Sequence, residues 1–162
     1  MKRNFATRTL WMFSFATLYM SLAATAQAQG PACSLAQAAG TYGASDSGTV
    51  VGVGPRAFTG IFTLDAVGNL LNGKGTSSLN GAIADETFSG PYTVNSDCAG
   101  TLALKVFDPS GNLLFTARLN LAWDDDMREL RFIFTSVALP DGTPLSIAIN
   151  GNARKVGPVI GR

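Results

Sequence analysis

The sequence contains no histidine. That absence removes the Ser-His and Cys-His nucleophile pairs, the histidine-containing zinc sites and the commonest general base together. Cysteine is nearly as scarce. Cys33 and Cys98 are the whole supply, and if they pair they offer neither a reactive thiolate nor a metal ligand. Charge is also sparse, at 14% of residues, and beyond the first ten residues only Arg154-Lys155 forms a basic pair. Without a basic cluster there is no electrostatic footprint for nucleic acid or for an anionic membrane surface. Helical periodicity is almost missing too. The one helix-compatible stretch, Ser34 to Ala39, is too short to stand alone and is expected to form a single turn or cap.

The amino-terminal residues follow a different pattern. Lys2, Arg3 and Arg8 precede an apolar run from Leu10 to about Leu22, and small residues follow through Ala26 and Ala28. This is the order of a secretory signal peptide, expected over residues 1–28 with cleavage before Gln29, or alternatively before Gln27. The competing reading is a retained anchor helix, but the run falls short of the roughly 20 residues that span a bilayer. Lipid attachment at Cys33 is not expected, because Gly30-Pro31-Ala32 precede it without a leucine three positions upstream. The expected product is periplasmic or secreted, with no stable membrane insertion after cleavage. Removing Lys2, Arg3 and Arg8 from the twelve basic residues leaves nine against eleven acidic ones, a net charge of about −2.

Residues 29–162 are enough for one domain with a single core. In an oxidising compartment an even pair of cysteines most simply forms one disulfide, Cys33 to Cys98, with a free or intermolecular thiol as the alternative.

From Thr41 onward, short apolar or β-branched runs alternate with turn-forming clusters at spacings of roughly ten residues, the pattern of an all-β barrel or sandwich. Eight strands are predicted: Thr41–Val51, Ala57–Leu64, Leu70–Leu79, Ala82–Ser89, Tyr92–Phe107 with an interruption at the cysteine, Leu113–Trp123, Glu129–Val137 and Leu145–Ala153. The two-residue period is clearest where Leu113, Phe115, Ala117, Leu119, Leu121 and Trp123 share one face and Thr116, Arg118 and Asn120 take the other. Asp65 to Asn69 and Asp108 to Asn112 each place an acceptor side chain at the start of a turn and a glycine where positive φ is needed, and Asn80-Gly81 is a two-residue hairpin signal. Connections this short favour an up-and-down, mainly antiparallel eight-stranded barrel, with a two-sheet sandwich as the alternative. Gly60, Gly73 and Gly75 fit the bends that closing a small barrel requires.

Three segments carry a resemblance: Cys33 with Gly40-Thr41-Tyr42-Gly43; Phe62-Thr63-Leu64-Asp65 leading to Gly68-Asn69; and Ser89-Gly90-Pro91-Tyr92 through Cys98-Ala99-Gly100-Thr101. Together they resemble a group of small exported bacterial proteins with calycin-like or allene oxide cyclase-like barrels. The resemblance implies a barrel scaffold. Allene oxide cyclases and the similar dirigent proteins guide cyclisation or coupling of apolar substrates in such barrels, so it also raises a cofactor-free cyclase or isomerase. No catalytic residue transfers by motif. Pro91 departs from the pattern at the position between Gly90 and Tyr92.

Few residues point to chemistry. Gly52 to Ala57 matches a dinucleotide fingerprint, but a strand and not a helix is expected after it, so no cofactor is expected. Gly43 to Gly48 reads as a flexible polar loop and not as a nucleophile elbow. Asp85 and Glu86 are adjacent on a strand and point to opposite faces. Asp124 to Asp126 read as a solvated hairpin tip without the spacing of a calcium loop, and no metal site is expected. Lys74, Lys105, Arg118 and Arg131 read as solvent-facing. The aromatics Phe58, Phe62, Phe115, Trp123, Phe132 and Phe134 fall on apolar faces, where they either fill the interior or line a cavity. The leading expectation is a small apolar molecule bound among them. A cyclase or isomerase using carboxylates or the hydroxyls of Tyr42 or Tyr92 is one alternative. A structural protein of the envelope is the other, and the sequence leaves the oligomeric state open.

Overall fold

The computed structural model describes residues 33–124 and 126–156; the predicted signal peptide lies outside them. After one helical turn, α1 (Leu35–Ala38), the strands are β1 (Gly40–Val50), β2 (Gly54–Leu64), β3 (Asn69–Leu79), β4 (Ala82–Pro91), β5 (Ala99–Phe107), β6 (Leu113–Trp123), β7 (Glu129–Ala138), β8 (Pro144–Leu145) and β9 (Ile147–Lys155). Neighbours pair antiparallel from β1 through β7, β7 pairs β9, and β9 pairs β1, which closes the sheet. Eight strands form the closed up-and-down barrel, and β8 only extends the edge of β7.

Turn chemistry sets the hairpins. Asn80 (φ 51°) and Gly81 (φ 89°) both have positive φ, as a type I′ turn between β3 and β4 requires. Asp65 accepts from the backbone N–H groups of Val67 (3.0 Å) and Asn69 (2.7 Å), and Asp108 does the same for Ser110 (2.9 Å) and Asn112 (2.8 Å). Bulges then keep the apolar side inward. In β3 the pairing register shifts between Leu70 and Gly73, so both face the interior while Leu71 and Asn72 are exposed.

Three expectations need correction. The segment Gly43 to Gly48 is not a loop; it is the middle of β1, paired on both sides. The fifth predicted strand does not run through the cysteine. Pro91 lacks an N–H and ends β4, Tyr92 makes a lone bridge to Leu102, and Cys98 turns with φ 66° before β5 begins. The last predicted strand is split at Ser146, because Leu145 pairs with β7 while Ile147 onward pairs with β1.

Connectivity gives the barrel two different ends. The lower end carries α1, the β2–β3, β4–β5 and β6–β7 connections, and the Cys33–Cys98 disulfide. It is tightly plugged: Tyr42 donates its hydroxyl to the Ala38 carbonyl at 2.7 Å, Tyr92 donates to the Asp65 carbonyl, and Lys155 donates to the Gln37 carbonyl. Ala38, Tyr42, Trp123 and Met127 are buried there. The upper end carries the β1–β2, β3–β4 and β5–β6 turns and the β7–β9 connection that contains β8.

Candidate functional site

Aromatic side chains run down the interior. Phe58 meets Phe88 edge-on at 5.7 Å, Phe88 meets Phe62 at 6.2 Å, and Phe62 stacks on Tyr42 at 5.5 Å. Bare backbone beneath the rings makes room for them. A Cβ on Gly75 would lie 2.5 Å from Phe58 Cζ, and one on Gly151 would lie 2.6 Å from Phe132 Cζ. The interior glycines therefore serve ring packing as well as curvature.

Among the described residues, packing leaves a partly open void inside the barrel. A cavity of about 50 Å³ is bounded by Phe58, Phe62, Phe88, Phe115, Phe132 and Phe134, by aliphatic residues of β3, β5, β6 and β7, and by Asp46, Arg56 and Glu86. Its volume is that of about three or four waters, against roughly 150 Å³ for a cavity that takes benzene. The void lies nearest solvent on the upper side, where Phe58 and Phe115 keep partial exposure. Five of the six aromatics singled out in the sequence meet around this void. Trp123 does not: it packs against Tyr92 at 6.4 Å in the plugged end. Tyr42 and Tyr92, the candidate hydroxyls, are there too, bonded to backbone carbonyls.

The polar part of the wall is a buried trio. Arg56 contacts Glu86 twice, Nη1 to Oε1 at 3.4 Å and Nη2 to Oε2 at 3.3 Å, and Ser77 donates to Glu86 Oε1 at 2.6 Å. Arg56 Nε lies 3.4 Å from Asp46 Oδ1, near enough for attraction but out of line for a hydrogen bond, so that oxygen accepts none. Side-chain exposure is 9% for Arg56, 4% for Asp46 and 6% for Glu86. The guanidinium carbon also sits 5.7 Å from the ring centres of both Phe58 and Phe115, an aromatic sandwich. Burial pushes the Asp46 carboxyl above its ordinary pKa against the pull of Arg56.

Sequence reasoning missed this trio, although parity along the strands marks it. Asp46 shares the inward face of β1 with Tyr42 and Ala44, Arg56 that of β2 with Phe58 and Phe62, and Glu86 that of β4 with Phe88. Asp85 and Glu86 do point apart, as expected: Asp85 takes a hydrogen bond from Thr76 on the exposed side. Lys74, Lys105, Arg118 and Arg131 are exposed. In the acidic tip, Asp124 accepts from the backbone N–H groups of Arg128 and Glu129, and Asp125 lies outside the described residues.

No family model and no curated protein matches the sequence. Among solved structures, the chain is similar to a redesigned β barrel, mFAP1, bound to DFHBI, at 18% identity and a TM-score of 0.46, over 75% of this chain and 98% of that one.

Proposed function

We propose that the protein is an exported binding module that holds a compact, largely apolar molecule inside the barrel. The observation that carries this reading is the interior void, with aromatic and aliphatic walls and a few convergent polar groups at one side. That combination is characteristic of small-molecule sites. A ligand of more than a few heavy atoms fits only if the partly exposed Phe58 and Phe115 rings swing aside. Export is supported by the signal-peptide pattern and by the disulfide, which persists in oxidising compartments. Among the described residues no helix is long and apolar enough to cross a membrane. The closed up-and-down barrel also accords with the resemblance to calycin-like exported proteins.

Native mass spectrometry of the processed protein from its own host tests the reading. The expected result is an added small mass that mild denaturation releases. A bare polypeptide mass, combined with no thermal shift on adding compact apolar fragments, would overturn it. One observation favours a second reading as a metal-free cyclase or isomerase: the desolvated Asp46 carboxyl faces the void, where a raised pKa suits proton transfer. Turnover that is lost in Asp46→Asn while ligand binding persists would separate the two.

A further inference from the structure

The trio has unequal charge. Two carboxylates face one guanidinium, and all three side chains are more than nine-tenths buried. Glu86 is satisfied, since it receives both terminal nitrogens of Arg56 and the Ser77 hydroxyl. Arg56 directs both terminal nitrogens to Glu86 and its Nε towards Asp46, and its guanidinium carbon lies 5.7 Å from the ring centres of Phe58 and Phe115. The bidentate edge of the guanidinium is therefore committed to Glu86 and not to a ligand. Asp46 is the member left over, with Oδ1 buried, without a hydrogen bond, and in the wall of the void. A buried carboxylate oxygen without a donor is costly, and a donor that also carries positive charge compensates it best.

We propose that the barrel selects small organic cations, with an ammonium or amidinium head donating to Asp46 and a compact apolar body against Phe62, Phe88 and Phe134. The inference rests on the binding reading above and adds the charge of the ligand. It separates this site from a plain apolar pocket, in which an uncharged isostere binds as well as an amine. It separates it equally from an arginine-based anion site, because here the bidentate edge of the arginine is held by Glu86.

Three probes of nearly equal shape decide it: isobutylammonium, isobutanol and isobutyrate, each titrated into the processed, disulfide-bonded protein and followed by amide chemical shifts in β1, β2 and β4. Isobutylammonium is expected to bind about tenfold more tightly than isobutanol, with isobutyrate weakest. In Asp46→Asn the preference for the amine over the alcohol is expected to vanish. Equal binding of amine and alcohol by the unaltered protein would overturn the inference and leave the apolar-site reading standing, with a proton or a water on Asp46 as the compensating group. Tightest binding of isobutyrate would overturn it in favour of Arg56 as the anchor. If none of the three shifts any interior amide, both the inference and the binding reading fall.

Discussion

Arg56 grips Glu86 through both terminal nitrogens, yet meets Asp46 only through Nε and without a hydrogen bond. The two carboxylates are therefore unequal partners of one cation. Glu86 gains from the arrangement. Asp46 is desolvated without full compensation, and the charged groups facing it are Arg56 from β2 and Glu86 from β4, while β9 offers only Gly151 opposite.

Opposite stability effects follow for the two neutralising substitutions. The Asp46 carboxyl has its pKa raised by folding, so its contribution favours the folded state at low pH and is lost as pH rises through the folded-state value. Asp46→Asn, which has no charge to desolvate, is expected to stabilise the barrel at pH 7 and to make stability less dependent on pH in the acid range. Glu86→Gln breaks a paired, hydrogen-bonded carboxylate and is expected to cost about 1–3 kcal/mol. Urea denaturation of both variants at pH 4 and pH 7 measures this. If Asp46→Asn proves the more destabilising change, Asp46 is the better-compensated carboxylate after all.

How much of this was legible in sequence depended on whether a residue's role was local. Asn80-Gly81, Asp65 and Asp108 fix their turns with groups a few positions away, so residue type alone located the hairpins. Phe58, Phe62, Phe115, Phe132 and Phe134 could be placed on the inward side because a two-residue period and hydrophobicity agree there. The trio escaped for the opposite reason. Asp46, Arg56 and Glu86 are polar at positions where the period demands apolar residues, and hydrophobic patterning discards such positions. Asp46 also sits among serines and glycines that mimic a loop; only pairing to β2 and β9 makes that segment a strand. Trp123 has inward parity but is the last residue of β6, so its depth along the barrel, which parity does not report, puts it in the plug.

The two buried tyrosines provide an alkaline signature. Burial pushes both Tyr42 and Tyr92 up to about 12 from an ordinary value of 10.0. A phenol with a raised folded-state pKa contributes stability in full below pH 10 and loses it as pH rises through 12, at on the order of 2–3 kcal/mol per tyrosine. Ultraviolet titration of the processed protein, which then has only these two tyrosines, is expected to show almost no phenolate at pH 10.5 and a steep rise that coincides with loss of near-ultraviolet circular dichroism. Half-ionisation near pH 10 with the fold intact would mean that the plugged end admits water.

Gly75 tests whether ring packing or backbone curvature keeps glycine inside the barrel. A Cβ there would collide with the Phe58 ring at 2.5 Å and with the carbonyl oxygen of Thr59. Gly75→Ala is expected to cost about 1–3 kcal/mol through overpacking. Because part of that collision is with a side chain, Phe58→Leu combined with Gly75→Ala is expected to cost less than the two single changes summed. Strict additivity in thermal or urea unfolding would assign the whole effect to the Thr59 carbonyl.

The disulfide ties the start of the described chain to the loop before β5, and its two ends are 65 positions apart. On the loop-entropy account, bridging a loop of that length restricts the unfolded chain by up to about 4 kcal/mol. Native contacts near the bridge are concentrated in the plug: α1 is held by the Tyr42 hydroxyl and by Lys155, while the barrel strands close through β1–β9 and β7–β9 pairing without it. The paired substitution Cys33→Ser with Cys98→Ser is therefore expected to lower stability by about 2–4 kcal/mol and leave a closed barrel at low temperature. Hydrogen exchange should then show lost protection in α1 and at Tyr92, with the β1–β2 and β5–β6 ladders still slow. Uniform loss across all strands would mean that the barrel does not close unless the bridge holds its lower end.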